Sequence, residues 1–351
     1  MRRLSALAAT VFSTILVGLF QSSCFAHSIE GITNLSPPPV ASAQTSPDLP
    51  QVVEGVIDQF KLWQAGSTIR ACFFGSSHEV QEKFVEATQE WLDHANLKID
   101  FGSTDAYRDC ASDPGNQLRI AFKPTGNWSY VGTDSIRVGL SQPSMNIANG
   151  NSMGEAVINP KSFRSTVLHE VGHFLALQHE HQSPEANCDS EFDWPIIYSE
   201  FMSRYGWDQA KVDNNLRSLV KTRRLRTTPY DTSSIMHYYF EPWMYADGEN
   251  SKCYVGHNND PSGVDLLTME AAYPSSPSEQ LNLVNKRLES TRDLLKDNTV
   301  SAEEKKLLVE AVKAEVDRFP GANVDVIITG NKSPVVKDVN TGGGDFNLEI
   351  K

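Results

Sequence analysis

The stretch VLHEVGHFLALQHEHQSP, residues 167–184, holds four of the chain's nine histidines and two glutamates inside an otherwise largely apolar run. It reads either as a helix with a His-rich polar face or as a metal site, and the spacing separates the two. His169 and His173 are four apart, so on a helix they lie one turn above each other on one face and can converge on one ion. Glu170 is rotated about 100° from the first and can lean toward the ion's open position without ligating it. This is the H-E-x-x-H pattern of zinc sites with a carboxylate base. His179 comes six residues after His173. A continuing helix would carry it about 240° away from the ligand face, so it reaches the ion only if the helix stops and the chain reverses. Ala176 stands where such reversals usually have glycine. An L-residue in the left-handed region costs about 1–2 kcal/mol, which metal binding of roughly 10 kcal/mol or more offsets.

Around this stretch the chain has 351 residues, 40% of them hydrophobic, enough for a sizeable core. Acidic residues outnumber basic ones 44 to 31, a net charge of −13. Such a surface repels phosphate backbones and argues against a nucleic-acid partner. The N-terminus has the form of a secretory signal: Arg2 and Arg3, an uncharged run from Leu4 to Phe20, and a Cys24-Phe25-Ala26 cleavage site ahead of His27. Gln21, three residues before Cys24, is not the aliphatic residue of a lipoprotein signal. No later segment is apolar and long enough to span a bilayer. The mature protein is therefore expected to be secreted, or periplasmic in a Gram-negative cell, without a stable membrane span. Removal of Cys24 leaves Cys72, Cys110, Cys188 and Cys253. In an oxidising compartment these suggest two disulfides with three open connectivities. Cys72–Cys110 with Cys188–Cys253 is preferred, because each pair then stays within one half of the central region.

Residues 27–55 are rich in Pro, Ser and Ala and read as a linker or pro-segment. Strands are expected at 67–75, 97–101, 117–122 and 156–159. Val80, Phe84, Ala87 and Trp91 recur at helical spacing over 77–95. The His-rich helix should begin near Ser162. Two short helices broken at Gly206 follow, then a turn or strand at 234–240 and a helix over 261–274 ended by Pro274. From Ser275 the pattern becomes a helical hairpin: Leu281, Val284, Leu288 and Leu295 on one helix, and a Ser301–Glu304 capping box opening a second that ends near Phe319. The expected division is signal peptide 1–26, linker 27–55, central unit 56–274, and hairpin with tail 275–351. Sequons stand at Asn34, Asn127 and Asn331.

Fifty-seven residues after His179 comes Met236, in YDTSSIMHYYF. The pair HEVGHFLALQH and SIMHY resembles the metzincin clan of zinc peptidases, and within it the astacin-like members. HEHQSP after His179 and NWSYVGTD at 127–134 resemble their secreted microbial and fungal relatives. The resemblance runs from about Thr68 to Pro274. It implies an α+β fold: a twisted mixed sheet with two long helices, one carrying H-E-x-x-H, over a mainly irregular and helical lower half, with the cleft between. It implies one catalytic Zn²⁺ held by His169, His173 and His179, with Glu170 as general base. Met236 matches the apolar floor under the metal, and Tyr238 the tyrosine that approaches it and donates a hydrogen bond to the transition state. Glu180 matches the acid that in true astacins meets the mature N-terminus. The implied activity is that of a secreted endopeptidase acting on protein or peptide substrates.

His181 and His237 are expected not to ligate: the first as a surface or supporting residue, the second alternating away from the metal. Tyr239 is the rival of Tyr238, disfavoured by the same alternation. Trp128 and Tyr130 read either as an edge strand above the cleft, where an extended peptide can lie, or as ordinary sheet packing. Nothing in 27–66 resembles the aspartate or cysteine latency motifs of metzincins, and the oligomeric state is not set by the sequence. The competing functional class is a non-catalytic binding or adhesion module with structural zinc on the same scaffold. Glu170 argues against it, because a structural site gains little from that carboxylate and tends to close its fourth position with Cys or His.

Overall fold

The computed structural model describes residues 55–298 apart from 125, 149–158 and 223, with isolated positions beyond (300, 302, 305, 308, 335–336 and 348–349). The signal segment, most of the linker, Asn34, Asn331, the 156–159 strand up to Ile158, and most of the second hairpin helix lie outside the described residues.

A short strand β1 (Ile57–Asp58) leads to β2 (Thr68–Phe74), whose Ala71, Cys72 and Phe73 are buried. Helix α1 (His78–Leu92) follows, with the Ser77 hydroxyl accepting from the Val80 N–H at its start. Its buried stripe is Val80, Phe84, Ala87, Thr88 and Trp91, the spacing of one helical face. Next come β3 (Lys98–Asp100), the hairpin of β4 (Gly102–Ser103) and β5 (Ala106–Tyr107), then β6 (Leu118–Ala121), β7 (Trp128–Ser129) and β8 (Met145–Asn146). Five of these form one mixed sheet in the order β3-β2-β6-β8-β7. The first four run parallel and the edge strand β7 runs antiparallel to β8. Asn127, just before β7, is buried, and its Oδ1 accepts from the Ala148 N–H, so this sequon is not accessible to a sugar.

Helix α2 (Pro160–Phe174) carries the first two histidines. It starts two residues earlier than expected, because Asn159 caps the Ser162 N–H and Pro160 supplies a preset φ at the first position. It packs along α1: the Trp91 indole donates to the Leu168 carbonyl at 2.8 Å, and Arg164 pairs with Glu90. The sheet, α1 and α2 enclose the upper core, with Phe73 against Phe84, Phe101 and Phe122.

Below lie α3 (Trp194–Tyr205) and α4 (Gln209–Leu216). Gly206 ends α3 in the left-handed region at φ +66°. Strand β9 (Leu225–Arg226) pairs back to β1. Phe192, Ile197, Phe201, Trp207 and Phe240 centre this second core. Cys72 is bonded to Cys110 in the upper half and Cys188 to Cys253 in the lower. Loops of 38 and 65 residues closed this way are worth about 4 kcal/mol each in the chain-entropy account.

Helix α5 (Gly263–Ala272) opens on a Ser262/Asp265 capping box. Helix α6 (Pro277–Lys296) buries Leu283, Val284, Leu288, Leu294 and Leu295. Two short strands, β10 (Val335–Val336) and β11 (Leu348–Glu349), pair antiparallel. Among the described residues no helix is long and apolar enough to cross a membrane.

One glycine couples the two halves. A Cβ built on Gly172 would lie 2.5 Å from the Met236 sulfur and 3.4 Å from Leu177 Cδ1. Gly172→Ala must displace the methionine. The expected result is a loss of about 1–3 kcal/mol in denaturant unfolding, typical of overpacking.

Candidate metal centre

Helix α2 ends in a Schellman motif that delivers the third histidine. The Ala176 N–H donates to the His173 carbonyl at 2.8 Å and the Leu177 N–H to the Gly172 carbonyl at 3.0 Å. Ala176 has φ +74°, so the reversal does use alanine in the left-handed region. Ala176→Gly is therefore expected to leave zinc affinity intact. Relief of about 1–2 kcal/mol of steric cost outweighs the added freedom of the unfolded chain, so the thermal midpoint should hold or rise. A large loss of zinc affinity would contradict this.

His169, His173 and His179 are all buried, and one nitrogen from each lies within 4.8 Å of the others. Their other nitrogens are committed. His169 Nδ1 is 2.8 Å from the Ile235 carbonyl, His173 Nδ1 is 2.9 Å from the Leu177 carbonyl, and His179 Nδ1 is 3.0 Å from Gln182 Oε1. Carbonyl oxygens only accept, so each Nδ1 carries the proton and each Nε2 carries a lone pair. His173 Nε2 and His179 Nε2 then face each other at 2.9 Å. Two lone pairs at that distance repel unless a cation lies near both. A proton is disfavoured, because burial lowers the His173 pKa to about 4 and that of His179 well below the ordinary value. Three neutral imidazole nitrogens, each with its other nitrogen anchored, fit Zn²⁺.

Glu170 is buried on α2, its Oε2 has no hydrogen-bond partner among the described residues, and burial raises its pKa well above the carboxylate range. Tyr238 lies over the histidines, with ring centroids 4.1 Å from His179 and 5.2 Å from His169. Burial, with a smaller contribution from Glu170, raises its pKa well above 10 and keeps the hydroxyl protonated. Tyr239 points elsewhere, its ring tilted against His257 at 4.2 Å between centroids and its hydroxyl toward Glu241. The Met236 side chain lies against Gly172, and its carbonyl accepts from the Glu180 N–H.

Of the two places expected for His181, it takes the supporting one and is fully buried. It packs 5.2 Å from His179 and edge-on to Phe240, with Nε2 toward the Asn215 carbonyl, because the chain after His179 dives beneath the site. His237 faces away, Nε2 accepting from the Tyr230 hydroxyl at 2.6 Å and Nδ1 donating to the Tyr238 carbonyl. Trp128 and Tyr130 are half-buried at the antiparallel edge. Sequence reasoning missed Gln182, the Ile235 and Leu177 carbonyls, and Asp265, whose carboxylate accepts from the Ile235 N–H. No local pattern marks any of them.

Burial pushes the Glu180 carboxyl up to about 8, against the opposing hydrogen bond from the Asp231 N–H. A carboxyl that titrates at 4.5 unfolded and near 8 folded favours the native state at low pH, and that contribution is lost as pH rises from about 4.5 through 8. In metal-free protein, Glu180→Gln should gain thermal stability on the parent across that window. A gap of opposite sign would mean that a cation, such as a newly formed N-terminal ammonium, sits against this carboxylate.

The profile of the peptidase family described as Astacin matches residues 56–274. Zinc metalloproteinase nas-2 of Caenorhabditis elegans is 27% identical over 166 residues, 46% of this chain and 50% of nas-2. The chain thus spans about half the length of that curated relative. The solved structure of myroilysin is similar with a TM-score of 0.54 and 28% identity, covering 63% of this chain and all of that one.

Proposed function

The chain belongs to the astacin family of metallopeptidases, and from that premise we propose that it is a secreted zinc endopeptidase with Glu170 as its general base. The observation that carries this reading is the convergence of three histidine nitrogens, with a buried carboxyl oxygen on α2 that has no hydrogen-bond partner among the described residues. His169, His173 and His179 would hold the zinc. When bound, zinc supplies a Lewis acid that acidifies water and polarises a carbonyl. Glu170 takes a proton from the attacking water and later hands it to the leaving amine. Its apolar surroundings make the carboxylate a stronger base than one in solvent. The Tyr238 hydroxyl donates a hydrogen bond to the oxyanion formed from the peptide carbonyl. The edge strand β7, with Trp128 in it and Tyr130 just after it, offers backbone groups to an extended peptide.

Two disulfides and the signal-like residues 1–26 support export. Residues 27–55 serve as linker or pro-segment, 56–274 as the catalytic unit, and 275–351 as an appended helical region. The alternative, a non-catalytic module with structural zinc, would close the fourth metal position. Among the described residues only three His, Cys, Asp or Glu side chains converge there. Hydrolysis of casein or gelatin with and without a chelator tests the reading. Activity abolished by the chelator and restored by zinc is expected, and zinc-replete protein that cleaves neither substrate would favour the binding module.

A further inference from the structure

We propose that helix α5 is a brace for the metal centre, with Asp265 and Tyr273 as positioning residues for His169 and His179 respectively. The proposal rests on the zinc site described above and names residues that the family's motifs do not.

At the start of α5, the buried Asp265 carboxylate accepts from the Ile235 N–H at 2.9 Å and from the Ser234 hydroxyl at 2.7 Å. The Ser234 oxygen in turn accepts from the Met236 N–H at 3.0 Å. That N–H belongs to the same peptide unit as the Ile235 carbonyl. A trans peptide is planar, with N–H and C=O pointing in opposite directions, so holding one end aims the other. The end so aimed is the acceptor of the His169 Nδ1 proton at 2.8 Å. Asp265 thus sets the orientation of the first imidazole through one hydroxyl and one peptide plane.

The other end of α5 works on the reversal. Tyr273, fully buried at the C-cap, donates its hydroxyl to the Leu175 carbonyl at 2.9 Å. This carbonyl shares its peptide plane with the Ala176 N–H, which donates to the His173 carbonyl at 2.8 Å. The plane entering the strained left-handed residue is therefore held at both ends. Beyond it, the Leu177 carbonyl accepts from His173 Nδ1, and three residues past Ala176 the chain reaches His179. The Tyr273 main chain is itself fixed, since its carbonyl accepts from the Asn96 N–H at 2.9 Å. Tyr273 stands eight positions after Asp265, about 12 Å along the helix axis. One element thereby sets the relative placement of a ligand on α2 and a ligand beyond its end.

The test measures zinc affinity of the full chain by competition with a chromophoric chelator, together with the thermal midpoint of the metal-free protein. The variants are Tyr273→Phe, Asp265→Asn and Met269→Ala. Met269 is buried on the same helix and makes neither hydrogen bond, so its truncation reports on packing alone. Tyr273→Phe and Asp265→Asn are each expected to lower zinc affinity about 10- to 100-fold, the usual consequence of removing a group that orients a ligand. Met269→Ala should lower the metal-free midpoint at least as far while changing zinc affinity much less. Zinc affinity unchanged in Tyr273→Phe, or falling in step with the midpoint across all three variants, would overturn the proposal. Tyr273→Phe keeps the ring and carries the test alone should Asp265→Asn not fold. A parent protein that takes up no zinc would remove the metal site itself and the brace with it. A parent that binds zinc no more tightly than the two hydrogen-bond variants removes only the brace.

Discussion

Glu170→Gln is expected to lower kcat/KM on a peptide substrate by about 10³-fold or more while one zinc stays bound per chain. Glutamine has the shape of glutamate and sits on the same turn of α2, so the histidines keep their places. What it lacks is a carboxylate able to take a proton. General-base catalysis is worth roughly 10²–10⁴-fold, and Glu170 would act twice, on the water and on the leaving amine. Burial penalises the Glu170 charge, so the variant should be no less stable than the parent near neutral pH. Tyr238→Phe gives the scale for comparison: loss of one oxyanion donor is expected to cost about 10²-fold, chiefly in kcat. Wild-type rates in Glu170→Gln would remove the mechanism and leave the metal site standing.

His179→Ala carries the other large effect. A structural zinc site is worth about 10–16 kcal/mol over its ligands, or about 3 kcal/mol per ligand, which is roughly a hundredfold in affinity. The variant should bind zinc about a hundredfold more weakly and lose hydrolysis. Zinc raises the stability of a protein that binds it only when folded by RT ln(1 + [L]/Kd), about 2.7 kcal/mol at a hundred times Kd. The parent should therefore melt well below its zinc-loaded midpoint when treated with chelator. In the variant that difference should shrink by about 2.7 kcal/mol, the value of a hundredfold in affinity. Metal analysis and paired melting curves decide it, and a variant that keeps its zinc would show that His179 is not a ligand.

Much of the scaffold is legible in the chain because its elements carry local signals. The stripe Val80, Phe84, Ala87 and Trp91 marks α1, and Gly206 marks the break between α3 and α4. Pro274 marks the end of α5, whose last helical residue is Ala272. The two-residue strands β7 and β8 carry no such signal, because a pairing that short has no periodicity and exists only through its neighbours. The pairing of β1 with β9 joins residues about 170 apart. The two places open to His181 could not be told apart in the chain, because polarity argues for exposure, whereas here the ring is packed among His179, Tyr238 and Phe240.

The candidate site divides in the same way. Read alone, the chain establishes which side chains offer nitrogen lone pairs, which carboxylate stands next to them, and that a reversal must fall near Ala176. These follow from helical geometry over a dozen residues. Packing decides which nitrogen of each ring keeps its proton, that Gly172 must lack a Cβ beneath the Met236 sulfur, and that Asp265 and Tyr273 hold the two arms of the site. Those contacts join residues 30 to about 100 positions apart. No periodicity links groups so distant; only the folded chain brings a carboxylate, a phenol and two peptide carbonyls within hydrogen-bonding reach of one another's partners.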